Sequence, residues 1–270
     1  MDQGASALTL TTCLLMKDRG QLAMKLHIII PVVGDYISYS EEVAAYLKPH
    51  LMAETTLSFS SLAYGFESVE TELAGMVNGS QVVMSVRENA ENFDGVFVDC
   101  FDDPGVYALR EMGLIPAVGP YEAAVTTALS LGERIGIITT DEAGILNEEK
   151  KARAFGVSGR IISIRALDLM VENIKEEKER LLASLADLCA DMVQKDRVSV
   201  ICLGCTAMYY IYDDLLQILS ERQIRVNVIE PVLNGCVTLE SMVRMGFNNF
   251  VPGEVAFDSL HWSQTEGRRN

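Results

Sequence analysis

Two apolar, β-branched runs constrain this chain more than anything else in it. The first is DGVFVDCFDDPG at 94–105 and the second is VSVICLGCTAM at 198–208. Each ends in a cysteine and passes at once into residues that start helices. A short continuous apolar run bounded by turn and cap signals reads as a strand buried on both faces, and such strands belong to parallel sheets. Open α/β folds bind their ligands at the carboxyl ends of those strands. The runs therefore predict two thiols, Cys100 and Cys205, delivered to the mouth of a sheet and facing one another across a substrate.

The rest of the chain alternates in the same manner. Strand patterns are expected at 25–33, 55–62, 94–100, 114–119, 134–140, 160–166, 199–204 and 226–230. Helices are expected at 40–47 with Ser40 as cap, at 67–91, from Pro104, at 122–131, 141–155 and 168–195, after Cys205 to about Ser220, and from about Leu233. A βα repeat carried through twice predicts an α/β fold of two pseudo-symmetric Rossmann-like lobes, parallel sheets flanked by helices, with the site in the cleft between them. The two cysteines stand 205 − 100 = 105 residues apart, in equivalent places of the two halves. The expected division is an extension over 1–23, a first lobe of 24–122 plus about 231–250, a second lobe of 123–230, and a surface tail over 251–270. The apolar stretch at 7–16 has Asp2 ahead of it and Lys17 and Arg19 behind it, the reverse of a secretory signal.

Charge narrows the partners. Lys+Arg number 22 against 38 Asp+Glu, a formal net charge of −16, which repels nucleic acid and anionic lipid. No apolar run reaches the roughly 18 residues that span a bilayer. Six cysteines scattered through 270 residues make no disulfide framework and fit reduced thiols in a cytosolic enzyme.

Two thiols on opposite sides of a cleft suit inversion of a carbon stereocentre by proton transfer: one base removes a proton from one face while an acid supplies one to the other. A thiol ionises near about 8.5, and a helix N-terminus brings it toward neutrality. Asp103-Pro104 reads as a helix start after Cys100, and Thr206 as the cap after Cys205. The backbone N–H groups of Phe101, Asp102, Thr206 and Ala207 are placed to hold an enolate-like oxygen. Asp99, Asp102 and Asp103 crowd Cys100, whereas the acidic residue nearest Cys205 in sequence is Asp213. Cys205 is thus expected to be the readier thiolate.

DCFDDPGV at 99–106 and LGCTAM at 203–208 resemble the paired cysteine motifs of the hydantoin and allantoin racemases, within the aspartate/glutamate racemase superfamily. The resemblance runs from about Lys25 to Phe250 and takes in GFES at 65–68, GPYEA at 119–123, IGIITT at 135–140 and VIEPV at 228–232. It implies a cofactor-independent isomerase that needs no metal, pyridoxal phosphate or nicotinamide. It further implies a small-molecule substrate, a 5-substituted hydantoin or related ureide, and a cytoplasmic homo-oligomer. Cys100 and Cys205 would exchange the roles of acid and base. Thr139 or Thr140 would bind carbonyl oxygens, and Phe66 and Tyr121 would line the side-chain pocket. Two departures stand out. Ile30-Pro31-Val32-Val33 replaces the family's usual Asn-Pro-Asn-Thr turn, and Thr206-Ala207 replaces its more frequent Ala-Gly. An aspartate- or glutamate-type racemase, a decarboxylase or isomerase of the same fold, and a binding protein that has kept the cleft are the competing readings.

Other residues carry plainer expectations. Cys189 and Cys236 read as core. Cys202 with Cys205 forms a C-x-x-C, but Cys202 lies inside a strand and no second pair supplies further zinc ligands. Glu122 and Glu230, near strand ends, either orient a substrate or anchor a loop. Glu67 reads as an ordinary residue near a helix start, and His27, His50 and His261 occupy no catalytic position. No G-x-G-x-x-G follows the first strand, and KEEKER at 175–180 is a solvated helix face.

Overall fold

A computed structural model describes residues 23–168 and 174–249. The expectations for 1–22, for the tail from 250 onward and for part of the 168–195 helix lie outside these residues. Two four-stranded parallel sheets make up the architecture. The first contains β1 (Met24–Val33), β2 (Thr55–Leu62), β3 (Gly95–Val98) and β4 (Ala117–Val118), in the order β2-β1-β3-β4. The second contains β5 (Ile135–Thr139), β6 (Ile161–Ala166), β7 (Val200–Leu203) and β8 (Asn227–Ile229), in the order β6-β5-β7-β8. The second order is the first with four added to each number, so the repeat read from the sequence is a repeat of topology.

Alternation along each strand sends side chains to two separate helix layers. In the first sheet Leu26, Ile28 and Phe97 pack with α1 (Ile37–Leu47) and α8 (Pro231–Met245), through Val43, Leu47, Val232 and Leu239. Ile29, Val96 and Val98 face the opposite way, onto α2 (Glu72–Asn89) and α3 (Val106–Met112). In the second sheet Ile138, Ile201 and Leu203 meet α6 (Lys178–Gln194) and α7 (Tyr209–Glu221). Ile135, Ile137, Val200 and Cys202 meet α4 (Pro120–Leu131) and, through Ala152, α5 (Glu142–Ala154). Strands covered on both faces have no polar side to show, which is why β3 and β7 are buried at every residue.

Several helix starts differ from the sequence expectation. Helix α1 opens at Ile37 rather than Ser40; the Asp35 carboxylate accepts from the Ile37 N–H at 3.2 Å, and the Ser40 N–H already donates to the Tyr36 carbonyl at 2.8 Å. Helix α2 opens five residues later than expected, where the Thr71 hydroxyl accepts from the Ala74 N–H. Helix α3 starts at Val106 after a left-handed Gly105, with no side-chain cap. Helix α8 starts at Pro231, and Glu230 caps it by accepting from Val232 N–H at 2.9 Å and Leu233 N–H at 2.7 Å. Of the two roles open to Glu230, the anchor is the one observed. The segment 30–33 continues β1, and the ladder to β3 has ended by Ile29, so Pro31 removes no needed donor.

Candidate active site

Cys100 and Cys205 follow the third strand of each sheet, β3 and β7, and the local hydrogen bonds repeat. The residue before each cysteine donates to the neighbouring strand, Asp99 N–H to the Ile29 carbonyl at 2.9 Å and Gly204 N–H to the Ile138 carbonyl at 2.7 Å. The residue three beyond donates back to each cysteine carbonyl, Asp103 N–H at 2.9 Å and Met208 N–H at 3.1 Å. Each strand thus hands its cysteine to a tight turn at the carboxyl edge of its sheet. Cys100 and Cys205 are part-buried residues, whereas Cys189, Cys202 and Cys236 are buried. Cys202 points into the core of the second sheet, so the C-x-x-C does not gather its two sulfurs at one surface. Among the described residues no group of His, Cys, Asp or Glu is arranged to hold a metal ion.

The two motifs meet. Burial raises the Cys100 thiol well above its ordinary value; the Asp102 carboxylate and Cys205 push it the same way, while the Asp102 N–H and the Lys151 ammonium oppose them. Burial also raises Cys205, to about 12, against hydrogen bonds from the Ala207 and Met208 N–H groups and with Asp99 and Asp102 adding to the rise. Loss of solvent outweighs the turn N–H groups at both thiols, so neither is drawn toward neutrality. Nor is Cys205 free of carboxylates, because the first motif supplies in space what the second lacks in sequence.

Two caps assigned from the sequence are elsewhere. Asp103, held at φ 51°, does not cap the helix that follows it; its carboxylate accepts from the Tyr121 N–H at 3.0 Å and the Glu122 N–H at 3.1 Å, capping α4. A Cβ on Gly119 would run into that carboxylate, so the glycine makes the cap possible. Burial raises Asp103 to about 7 despite these bonds. Thr206 makes no side-chain cap; Cys205 precedes a single 3-10 turn, and the buried Thr206 side chain helps to hold down the pKa of Asp99. Glu122 anchors, forming an ion pair with Arg110.

The remaining predicted residues are placed variously. Phe101 and Tyr121 are buried and stack edge to face at 5.5 Å within the second sheet's core. There Tyr121 lies behind Phe101 rather than at an open wall. Thr139 is buried with its hydroxyl toward Gly144 of α5, and Thr140 is half-buried in the turn that follows. Phe66 is 44% exposed, in a loop that Asn78 secures by accepting from Phe66 N–H at 2.8 Å and donating to the Phe66 and Pro31 carbonyls.

Sequence reading missed three residues. Tyr39 donates to Asp99 Oδ2 at 2.7 Å, Asp99 Oδ1 is buried with no hydrogen-bond partner among the described residues, and burial raises Asp99 to about 6. Tyr209 stacks edge to face on Tyr39 at 5.9 Å. Lys151 is bonded to Asp102 Oδ1 at 2.8 Å and to the Phe101 carbonyl at 2.9 Å. No local spacing signals these contacts, which join α1 and α5 to the first cysteine turn over 49 residues or more and α7 to α1.

Residues 37–239 match the model of a family described as Asp/Glu/Hydantoin racemase. A hydantoin racemase from Rhizobium meliloti is 26% identical over 225 residues, covering 83% of this chain and 90% of that one. An allantoin racemase from Klebsiella pneumoniae superposes with a TM-score of 0.75 at 23% identity, over 85% of this chain and 91% of that one. A glutamate racemase isoform from Bacillus anthracis gives 0.55 at 17% identity, over 82% of each chain. At these identities the two structural likenesses establish the fold.

Proposed function

The chain belongs to the Asp/Glu/Hydantoin racemase family, and from that premise we propose that it racemises a 5-substituted hydantoin or related ureide without a cofactor, using Cys100 and Cys205 as paired acid and base. The observation that carries the reading is the pair of part-buried cysteines, in equivalent turns of two topologically identical sheets, with the charge of one felt by the other.

The sulfur of one cysteine, as thiolate, takes the proton from the carbon beside the carbonyl. The electron pair delocalises onto the carbonyl oxygen, and the carbon becomes planar. The thiol of the other cysteine then donates its proton to the opposite face, so one proton is gained, one is lost, and no oxidant or reductant is needed. Cys205 starts as base for one enantiomer, and Cys100 starts for the other. The N–H groups of Phe101, Asp102, Thr206 and Ala207 stabilise the enolate oxygen, and Thr139 or Thr140 holds carbonyl oxygens. Phe66 bounds the side-chain region, and Tyr121 backs Phe101 from the core.

The apolar end of β1 favours a hydantoin carrying an apolar 5-substituent over allantoin, whose ureido group would find few partners at Ile30, Val32 and Val33. The lobes are 24–122 with 231–250, and 123–230, and the working form is a cytoplasmic homo-oligomer. Loss of optical rotation across a panel of pure hydantoins, allantoin, aspartate and glutamate is the test. Turnover of the hydantoins first is expected; turnover of the amino acids alone would reject the substrate assignment.

A further inference from the structure

Helix α5 lies in the helix layer of the second sheet, yet one of its faces is committed to the first cysteine motif. Asn147 Nδ2 donates to Asp102 Oδ1 at 2.8 Å. One turn on, Lys151 Nζ donates to the same oxygen at 2.8 Å and to the Phe101 carbonyl at 2.9 Å. Glu148, 2% exposed, closes the array through an ion pair to Lys151 at 2.8 Å. The ammonium also lies 4.8 Å from the ring centre of Phe101 and 4.5 Å from that of Tyr121, within cation–π range. A cation with only 16% of its side chain exposed, held by three oxygens and two rings, is costly to place unless its position matters. Two of the three oxygens belong to the turn immediately after Cys100.

We propose that Lys151 is a positioning residue for Cys100, clamping the Phe101–Asp102 turn across the two halves of the molecule and fixing the charge that surrounds the thiol. The proposal rests on Cys100 being one of the two reacting groups. The groups that face this thiol are Asp102, Lys151 and Cys205. Asp102 acts on it twice, its carboxylate opposing the thiolate and its N–H supporting it, while Lys151 supports it. Asp102 and Glu148 in turn hold the ammonium charged, raising it against the opposing effect of burial.

The test uses the full chain carrying Cys205→Ser, with iodoacetamide alkylation of Cys100 followed by peptide mass spectrometry from pH 7 to 10. Lys151→Met should slow the reaction by about tenfold below the plateau, since it removes the supporting charge, and move the profile to higher pH. Asp102→Asn should speed it and move the profile the other way, because the N–H stays and the carboxylate goes. Lys151→Arg should stay near the parent. The double variant Lys151→Met/Glu148→Gln removes the carboxylate left alone by the single change and should show the same slowing in a stably folded protein. Shifts of the same sign in the Met and Asn variants, or unchanged profiles with only a lowered Tm, would overturn the proposal. Full racemisation by a Cys100→Ser protein would instead reject the catalytic reading, and the alkylation profiles would still decide the role of Lys151.

Discussion

Replacing Asp103 by asparagine exposes what the cross-chain cap costs. In the fold this carboxyl stands at about 7, against an ordinary value of 3.8, because burial disfavours its charge more than the Tyr121 and Glu122 N–H groups favour it. At about 1.4 kcal/mol per pH unit, that difference corresponds to roughly 4 kcal/mol of ionisation cost. Between those two values the native state holds more protons than the unfolded chain. The carboxyl's contribution is therefore fully present below pH 3.8 and lost as the pH rises through 7. Of the total, about 2.5 kcal/mol falls between pH 5 and pH 8. Asparagine is isosteric, keeps one acceptor for the two N–H groups, and does not titrate. Urea unfolding followed by circular dichroism at pH 5, 6.5 and 8 should show the parent losing stability relative to Asp103→Asn by about 2.5 kcal/mol over that range. The difference between the two proteins cancels the other buried carboxyls and His27. A difference constant to within about 0.5 kcal/mol would refute the placement of Asp103 across the start of α4, since a surface cap of α3 would titrate near its ordinary value.

Two further substitutions test the surroundings of the thiols. Tyr39→Phe removes a hydrogen bond that lowers Asp99, so Asp99 should titrate above its present value of about 6, and the limb of the pH–rate profile that tracks it should move to higher pH; an unmoved profile would separate Asp99 from the reaction. Cys202→Ala trims a fully buried sulfur in the second sheet's core and should cost about 1 kcal/mol of stability while leaving racemisation intact; loss of activity in a stably folded protein would show that the C-x-x-C has a chemical role.

The order of strands and helices was legible because strands sandwiched between helix layers have to be apolar throughout. Runs such as 95–98 and 200–203 leave no other reading. The positions of Cys100 and Cys205 followed from the same fact, since the residue just past a buried strand sits at the sheet's edge. Local caps were less legible where the partner was distant. Asp103 followed by Pro104 has the chemistry of a helix start, but its carboxylate is spent on an N-terminus 18 residues away, and only the tertiary fold brings α4 to it. The contacts of Lys151 and Tyr39 are illegible for the same reason: a lysine in a charged helix and a tyrosine in a short one look like surface residues until the two halves are packed. The electrostatic expectation failed in direction: both thiols are raised rather than lowered. N–H groups of the tight turns do bond to both sulfurs, yet removal from water outweighs them.

Solvent isotope wash-in tests the two-thiol account most directly. In deuterated buffer, an optically pure 5-substituted hydantoin should exchange its C5 proton during racemisation by the parent protein, after correction for the enzyme-free rate. Cys100→Ser and Cys205→Ser should each lose racemisation and keep exchange with opposite enantiomers, because the remaining sulfur can still remove and return a proton on its own face. Racemisation surviving in either variant, or the same enantiomer exchanging in both, would contradict an arrangement in which the two sulfurs flank one carbon.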